Sequence, residues 1–309
     1  MSEAWRPTAA LDTLIKRADL LGRTRAFFRD RDIVEVQTST LDQYGVTDVA
    51  IENVEVAGYG YLQTSPEYQM KRLLAAGMPS CYQIGPVFRA GEVGRWHNTE
   101  FTMLEWYELD VTLEQLMANV AALVDYLVGP QRVLTKTVQA LLKDAFDLDP
   151  HKSDEKRCLA IANKEGLQDA HDLYEALDFL VGTAVSKLGA ERVFLTEYPK
   201  YQAALARTVH RGNVEVALRF ELVIDGLEIA NGYDELRDAL EFHRRCDYDN
   251  ARREQLGLPV KPIDPNFEAA MAYGLPNCCG VAVGLDRLFA LALGKSALQD
   301  VTAFGTRVQ

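Results

Sequence analysis

The stretch Cys81 to Glu108, CYQIGPVFRAGEVGRWHNTEFTMLEWYE, gathers the side chains of this chain best suited to chemistry. It reads as a strand from Cys81 to Phe88 ending in Arg89, a polar loop from Ala90 to Thr99, and a second strand from Glu100 to about Glu108. Side chains alternate along a strand, so Phe101, Met103, Glu105 and Tyr107 share one face and Thr102, Leu104 and Trp106 the other. An aromatic ring, a carboxylate and a phenol in a row suit a ligand with a planar end and a cationic end. Arg89 beside the loop adds a fixed fork for phosphate or carboxylate. An ordinary hairpin with a solvated face fits the same pattern equally well.

Three other stretches carry comparable signals. In Val214 to Glu235, Asp225-Gly226 is a strong two-residue hairpin turn. Facing Ile224 with Leu227 pairs Val223 with Glu228 and Leu222 with Ile229, and sets Glu221 and Glu228 on one face, roughly 7 to 8 Å apart. Two converging carboxylates suit Mg²⁺ with a bound phosphate, or else are simply solvated on an outward face. Ser65-Pro66-Glu67 predicts a helix start, with Ser65 as N-cap, Pro66 at the first helical position and YQMKRLLAAG running to a terminal glycine. Glu67 there either favours the helix dipole or serves a ligand. Cys278 to Gly294, CCGVAVGLDRLFALALG, reads as a buried strand, then Gly284, then a helix with Asp286 and Arg287 in its first turn. Gly284 has no side chain to block a close approach, and an arginine so placed opposes the dipole and needs a partner.

The elements that must position these residues are legible in part. Ala9 to Arg31 has helical periodicity, Ile33 to Leu41 alternates like a strand, and Ile51 to Ser65 reads as a short hairpin. Thr112 to Val128, Val133 to Phe146 and Leu173 to Leu188 read as helices, and Asp149 to Lys156 as an exposed connection. The section around 111–190 carries no chemical signal; a helical insertion in one domain and a separate domain fit it alike.

With 309 residues, 48% of them hydrophobic, the chain can bury a sizeable core. It has neither an apolar run long enough to span a membrane nor a secretory signal, which points to the cytoplasm. The odd count of five cysteines, without CxxC spacing, predicts buried thiols rather than a disulfide framework or a zinc site. A net charge of -12 disfavours an extensive nucleic-acid surface.

In combination, FRAGEVGRWHNTEFTMLEWY resembles the second signature of class II aminoacyl-tRNA synthetases, GVAVGLDRL the third, and Ala9 to Leu41 a weak first. SPEYQMKRLL and FELVIDGLEIANGYDEL are similar to lysyl-tRNA synthetases in particular. The resemblance covers nearly the whole chain. It implies an α+β fold, with residues 1–309 forming one synthetase-like catalytic domain, an antiparallel sheet flanked by helices. No anticodon-binding barrel precedes the helix that starts near residue 9, as in the paralogues that attach (R)-β-lysine to a lysine side chain of elongation factor P. The resemblance therefore implies an ATP-dependent, Mg²⁺-assisted ligase, homodimeric, acting on that protein with (R)-β-lysine or lysine, and not on tRNA.

Carried over residue by residue, the resemblance gives Arg89 to the substrate carboxylate and α-phosphate, and places adenine between Phe101 and Arg287 with Asn98 at its edge. Arg89 and Arg287 are its catalytic residues. Its ATP set extends to Ala90, Gly91, Glu92, His97, Glu228, Ile229 and Gly284, with Arg95 near the triphosphate and Mg²⁺ on Glu221 and Glu228. Its amino-acid pocket is Ser65, Pro66, Glu67, Glu105, Tyr107, Asn231, Glu235 and Ala282; Glu67, Glu105, Tyr107 and Glu235 take the two amino groups. The chain departs from the pattern in three places. Arg89-Ala90-Gly91-Glu92 replaces Arg-x-Glu, Ser39 stands where the first signature has proline, and Ala282 replaces a glycine, a methyl that favours β-lysine over α-lysine. A tRNA-charging enzyme, a small-molecule ligase of the same fold and a non-catalytic paralogue are the alternatives. The missing domain, the cation-binding set and the retained ATP set respectively count against them.

Overall fold

The computed structural model describes residues 5–168, 172–189 and 191–305. Residues 1–4 and 306–309, the ends of the expected domain, and residue 190, the end of the expected helical section, lie outside the described residues.

Helix α1 (Leu11–Arg29) is shorter than its periodicity because the Asp30 amide closes the last turn on the Ala26 carbonyl and the Arg31 amide tightens onto the Phe28 carbonyl. The expected strand from Ile33 to Leu41 condenses to β1 (Val34–Glu35) and β2 (Leu41–Asp42). Between them the Thr38 and Ser39 amides donate to the Gln83 and Gln69 side chains instead of to a neighbouring strand. The hairpin β3 (Val54–Val56) and β4 (Gly60–Leu62) forms as expected and joins β2 in a three-stranded sheet. Then come α2 (Glu67–Ala75), β5 (Cys81–Phe88), β6 (Glu100–Leu109) and α3 (Leu113–Val128), the last opened by a capping box of Thr112 and Gln115.

The next segment differs from expectation. Val133 to Phe146 is not one helix but β7 (Val133–Thr137) followed by α4 (Val138–Phe146). Val133, Thr135 and Thr137 are β-branched at alternate positions, β7 pairs in parallel with β8, and Thr137 caps α4 through the Ala140 amide. Similarly, α5 (Glu155–Lys164) starts inside the charged stretch, capped by Asp154, and α6 (Leu173–Ser186) follows. The remaining elements are β8 (Arg192–Pro199), β9 (Thr208–Arg211), β10 (Val214–Ile224), β11 (Leu227–Asp234), α7 (Ala239–Gln255), α8 (Pro265–Gly274), β12 (Cys278–Gly284) and α9 (Leu285–Ala292).

The main sheet runs β1-β5-β6-β12-β11-β10-β8-β7, with β9 also paired to β10. It is antiparallel throughout its centre, with a parallel pair at each edge, β1 with β5 and β7 with β8. One face buries Leu104, Trp106, Leu222 and Ile224 against α1, α3 and α9. Phe28 of α1 stacks on Tyr82 at 4.3 Å and meets Trp106 edge-on at 5.2 Å, and such aromatic pairs add about 0.5–1.5 kcal/mol each beyond the area they bury. The opposite face is covered at its flanks, by α4 and α6 over β8 and β10 and by α2, α7 and α8 beside β5 and β6. The uncovered centre of this face bears Glu105 and Tyr107, as the alternation of β6 requires. All five cysteines are buried and unpaired, as expected. Among the described residues, no helix is long and apolar enough to cross a membrane.

The Asp225-Gly226 hairpin pairs Ile224 with Leu227 and Val223 with Glu228 as expected, but a bulge between Leu222 and Val223 sets Leu222 opposite Ala230 instead of Ile229. The bulge has a consequence at the centre of the sheet. Strict alternation would turn Glu228 away from Asn231, Tyr233 and Glu235; the extra residue returns all four to one cavity.

Candidate active site

The uncovered centre of the sheet is a cavity of about 450 Å³, walled by β6, β12, β11 and β10 and closed at one end by the start of α2. At that end four charged side chains meet. Lys71, one turn beyond Glu67 on α2, extends its Nζ to Glu67 Oε1 at 2.6 Å and to Glu235 Oε2 at 2.5 Å. Lys71 and Glu235 are each 1% exposed. Burial alone would push the Lys71 ammonium down, but the Glu235 and Glu67 carboxylates outweigh it and hold it charged, above the ordinary lysine range.

Glu105 is buried beside them. Its Oε2 accepts from Ser65 Oγ at 2.6 Å and its Oε1 from the Tyr107 hydroxyl at 2.7 Å. Burial, followed by the Glu67 carboxylate, pushes its pKa up to about 7 against those two hydrogen bonds. The helix start differs by one residue from expectation: Pro66 occupies the N-cap position and Glu67 opens α2, while Ser65 Oγ accepts the Glu67 amide at 3.0 Å. Ser65 thus ties the helix to Glu105, and Pro66 is buried outside the cavity wall. Gly280 of β12 pairs with Tyr107 on one side and Tyr233 on the other. A Cβ there would lie 2.3 Å from the Tyr107 ring and 2.4 Å from Glu235 Oε1, so only glycine lets both side chains reach the pocket. Ala282, two residues on, lies between Glu105 and Asn231 in register.

The other end is built from the β5–β6 loop and the start of α9. Arg89 stands 5.3 Å from the Phe101 ring centroid and 3.7 Å from Glu92, so the displaced glutamate pairs with the arginine it follows. Arg287 finds its partners in carbonyls, donating from Nε to Trp96 at 3.1 Å and from Nη1 to Glu228 at 2.9 Å. Its guanidinium is therefore held in place in the same cavity as Phe101, with no carboxylate ion pair among the described residues. Asp286 supports the arrangement from behind, accepting the Thr102 amide at 2.8 Å and pairing with Arg17 of α1 at 2.6 Å. Next to Gly284 the nearest atom to an added Cβ is Arg287 Cδ at 3.8 Å, an open approach. Burial, then the Arg287 charge, lowers the pKa of His97, and Asn98 is buried beside it.

Glu221 and Glu228 both reach the cavity, and Glu221 is pushed up to about 7 by burial and then by the Glu228 charge. This mutual repulsion is the mark of a donor pair suited to a cation. Arg219 relieves it from one side, donating to Glu221 Oε1 and, from Nε, to Asn231 Oδ1 at 3.2 Å. Among the described residues no group of three or more His, Cys, Asp or Glu side chains could hold a metal ion on its own. Two carboxylates fit Mg²⁺ in its usual manner, where phosphate and water complete the shell.

The cavity thus unites most of the residues expected from the sequence, with exceptions. Arg95 is exposed and donates to the Ser296 carbonyl at 2.5 Å, outside the cavity wall. Ala90 donates its amide to Glu52 and Gly91 turns the chain at φ +77°, so both shape the loop without lining the cavity. Three contributors escaped sequence reasoning. Lys71 carries the i,i+4 spacing to Glu67 that could have revealed it, and Arg219 shares the Glu221 face by simple alternation. Gly280 gave no signal, because the side chains that need its bareness come from other strands.

A family model described as "tRNA synthetases class II (D, K and N)" matches residues 4–308. The chain is 41% identical to an elongation factor P (R)-β-lysine ligase of Photorhabdus laumondii, covering 98% of each chain. It is 40% identical to the ligase of the same name from Haemophilus ducreyi, over 97% of this chain and 96% of that one, and 39% identical to that of Proteus mirabilis, over 97% of each. With the second and third signatures brought to one cavity on an antiparallel sheet, this chain belongs to the class II tRNA synthetase family of the D, K and N type.

Proposed function

We propose that this protein is an ATP-dependent ligase that activates (R)-β-lysine as its adenylate and transfers it to a lysine side chain of elongation factor P. The observation that carries the reading is buried Glu105, Tyr107 and Glu235 with half-buried Glu67, in the same cavity as Arg89 and Arg287. A pocket rich in carboxylates at one end and guanidinium groups at the other suits an amino acid with two ammonium groups and ATP in a line. The full-length similarity to ligases of that name supports the same substrates.

In this reading the amino groups dock on Glu67, Glu105, Tyr107 and Glu235, which leaves the carboxylate directed toward Arg89. Phe101 and Arg287 hold adenine between them, and Asn98 meets its edge. The carboxylate oxygen attacks the α-phosphorus, the bond to the β,γ-phosphates breaks and pyrophosphate leaves; Arg89 offsets the charge that grows on the α-phosphate. The acceptor amine then attacks the acyl carbon, AMP departs with the acyl oxygen, and the amine's proton passes to solvent. No side chain acts as a covalent nucleophile. Glu221 and Glu228 are the side chains that would hold Mg²⁺, which neutralises phosphate charge when bound.

Residues 1–309 act in this reading as one cytoplasmic catalytic domain, with the section around 111–190 a helical insertion. Exposed Leu11 and Ile15 on α1, each 69% exposed, favour a homodimer built near the first signature. The decisive experiment is the intact mass of elongation factor P after incubation with the protein, Mg²⁺, ATP and either (R)-β-lysine or α-lysine, beside a tRNA-charging assay. An adduct of one β-lysine is the expected result; charged tRNA without a protein adduct overturns it.

A further inference from the structure

The amino-acid end of the cavity has a charge that can be counted. Glu67, Glu105 and Glu235 bring three carboxylates, and Lys71 brings one ammonium that is 1% exposed and bonded to two of them. The remainder is two negative charges. Lys71 uses one oxygen of each partner, Oε1 of Glu67 and Oε2 of Glu235. The other Glu235 oxygen, Oε1, is directed to the Tyr107 and Gly280 corner of the pocket. The lysine side chain also runs to within 6.0 Å of the Tyr107 ring centroid, which fixes its place against the same wall.

Without this internal cation, three carboxylates around one small buried space would repel one another, and one or more would take up protons to escape. With it, Glu67 and Glu235 are held in place by an ammonium set between them, and by formal charge two negatives are left over. We propose that Lys71 is the positioning residue that sets this pocket at two negative charges and thereby selects an amino acid bearing two ammonium groups. The inference rests on the functional reading above and adds to it a cause for the diamine preference. A ligand with one amine would leave a buried carboxylate uncompensated, and a neutral side chain at position 71 would leave the pocket free to neutralise itself with protons instead of with ligand.

The test uses the full chain in amino-acid-dependent exchange of pyrophosphate into ATP, with (R)-β-lysine and with (R)-3-aminohexanoic acid, which keeps the chain length and lacks the terminal amine. The wild type should prefer the diamine by roughly 100-fold or more, the discrimination that a buried unpaired polar partner produces. In K71M the KM for β-lysine should rise roughly 50-fold, kcat should stay within about threefold, the KM for ATP should not move, and the diamine preference should fall below about tenfold. K71R, which keeps the charge, should recover most of the preference. A folded K71M with unchanged KM and preference overturns the proposal, and so does an ATP KM that rises in step with the amino-acid KM. Should K71M not fold, calorimetric titration of the wild type with β-lysine at pH 8.5 in two buffers of different ionisation enthalpy decides. Close to no net proton exchange is expected, whereas release of about one proton per ligand overturns the two-charge pocket. A wild type that exchanges pyrophosphate with no diamino acid removes the functional reading itself, which K71M kinetics alone could not do.

Discussion

The two ends of the cavity solve the problem of binding charge in opposite ways. At the amino-acid end the charged groups are buried and internally compensated: Lys71 and Glu235 are 1% exposed and hold each other at 2.5 Å. At the nucleotide end they are loop-borne and half open, Arg89 being 26% and Glu92 30% exposed and 3.7 Å apart. A buried ion pair keeps its geometry because breaking it leaves an uncompensated charge, whereas an open pair is screened and yields easily to a ligand. The first end is therefore suited to discrimination and the second to holding and releasing a phosphate chain that must change shape during the reaction.

The comparison predicts its own largest effect. Glu235→Gln removes a buried charge at the discriminating end, so β-lysine activation should fall about 10² to 10³-fold, as for breaking a buried charge pair at about 3–5 kcal/mol. ATP binding, read by nucleotide fluorescence titration, should be unchanged, because the Arg89 and Arg287 end keeps every contact. An equal loss at both ends would show that the cavity behaves as one unit and that the division is wrong.

Gly280→Ala tests the rigidity of the same end without touching a charge. Its Cβ would sit 2.3 Å from the Tyr107 ring and 2.4 Å from Glu235 Oε1, a ring fixed on the sheet and the tip of a side chain that Lys71 holds by its other oxygen. The KM for β-lysine should rise about 30- to 100-fold with the ATP KM constant, and thermal denaturation should show a loss of about 1–3 kcal/mol from overpacking. An amino-acid KM that stays at the wild-type value would mean that the pocket yields more than its burial implies.

How far this division could be read from the sequence depends on whether the signal is local. Alternation along β6 gave the Phe101, Glu105 and Tyr107 face, and Asp225-Gly226 gave the hairpin with its first two pairs, because both depend on neighbours in the chain. The second and third signatures, with the SPEYQMKRLL and FELVIDGLEIANGYDEL stretches, located most of the cavity wall. The bulge at Leu222 was not legible, since it is set by how β10 fits both β8 and β11. Nor was β7, whose short β-branched alternation becomes a strand only with a parallel partner far along the chain. Lys71 had a visible partner in Glu67, but its burial follows from Glu235, brought beside it by the sheet. Arg95 failed in the other direction: its position in the signature suggested the phosphates, and local loop geometry took it to Ser296.

At the open end the effects should be smaller. Phe101 stacks near Arg89 at 5.3 Å and faces the cavity from a strand, so Phe101→Leu removes ring stacking while keeping apolar bulk. The KM for ATP should rise about tenfold, corresponding to about 1.4 kcal/mol, and the β-lysine KM should remain within twofold. Equilibrium dialysis with ATP alone checks the assignment independently of turnover.

The smallest effect is one of pH, and its sign separates the ends most cleanly. Burial and the Glu67 carboxylate raise Glu105 to about 7, so in the empty pocket it is protonated below that value, and a bound ammonium must displace the proton. β-Lysine should therefore bind at least about fourfold more weakly at pH 6.5 than at pH 8.5, with proton release on binding that grows as pH falls; Glu105→Gln should bind less tightly and lose the Glu105 share of the slope, leaving that of Glu235, which burial pushes up to about 8. The empty protein should respond in the opposite direction. A carboxyl raised in the folded state binds its proton more tightly there than in the unfolded chain, so its contribution to stability increases as pH falls from about 7 toward the ordinary carboxylate range. Opposite slopes for ligand affinity and for stability of the empty protein over this window, both flattened in Glu105→Gln, are what a buried and internally balanced pocket requires. ATP affinity, set at the guanidinium end of the cavity, should show no such slope from Glu105.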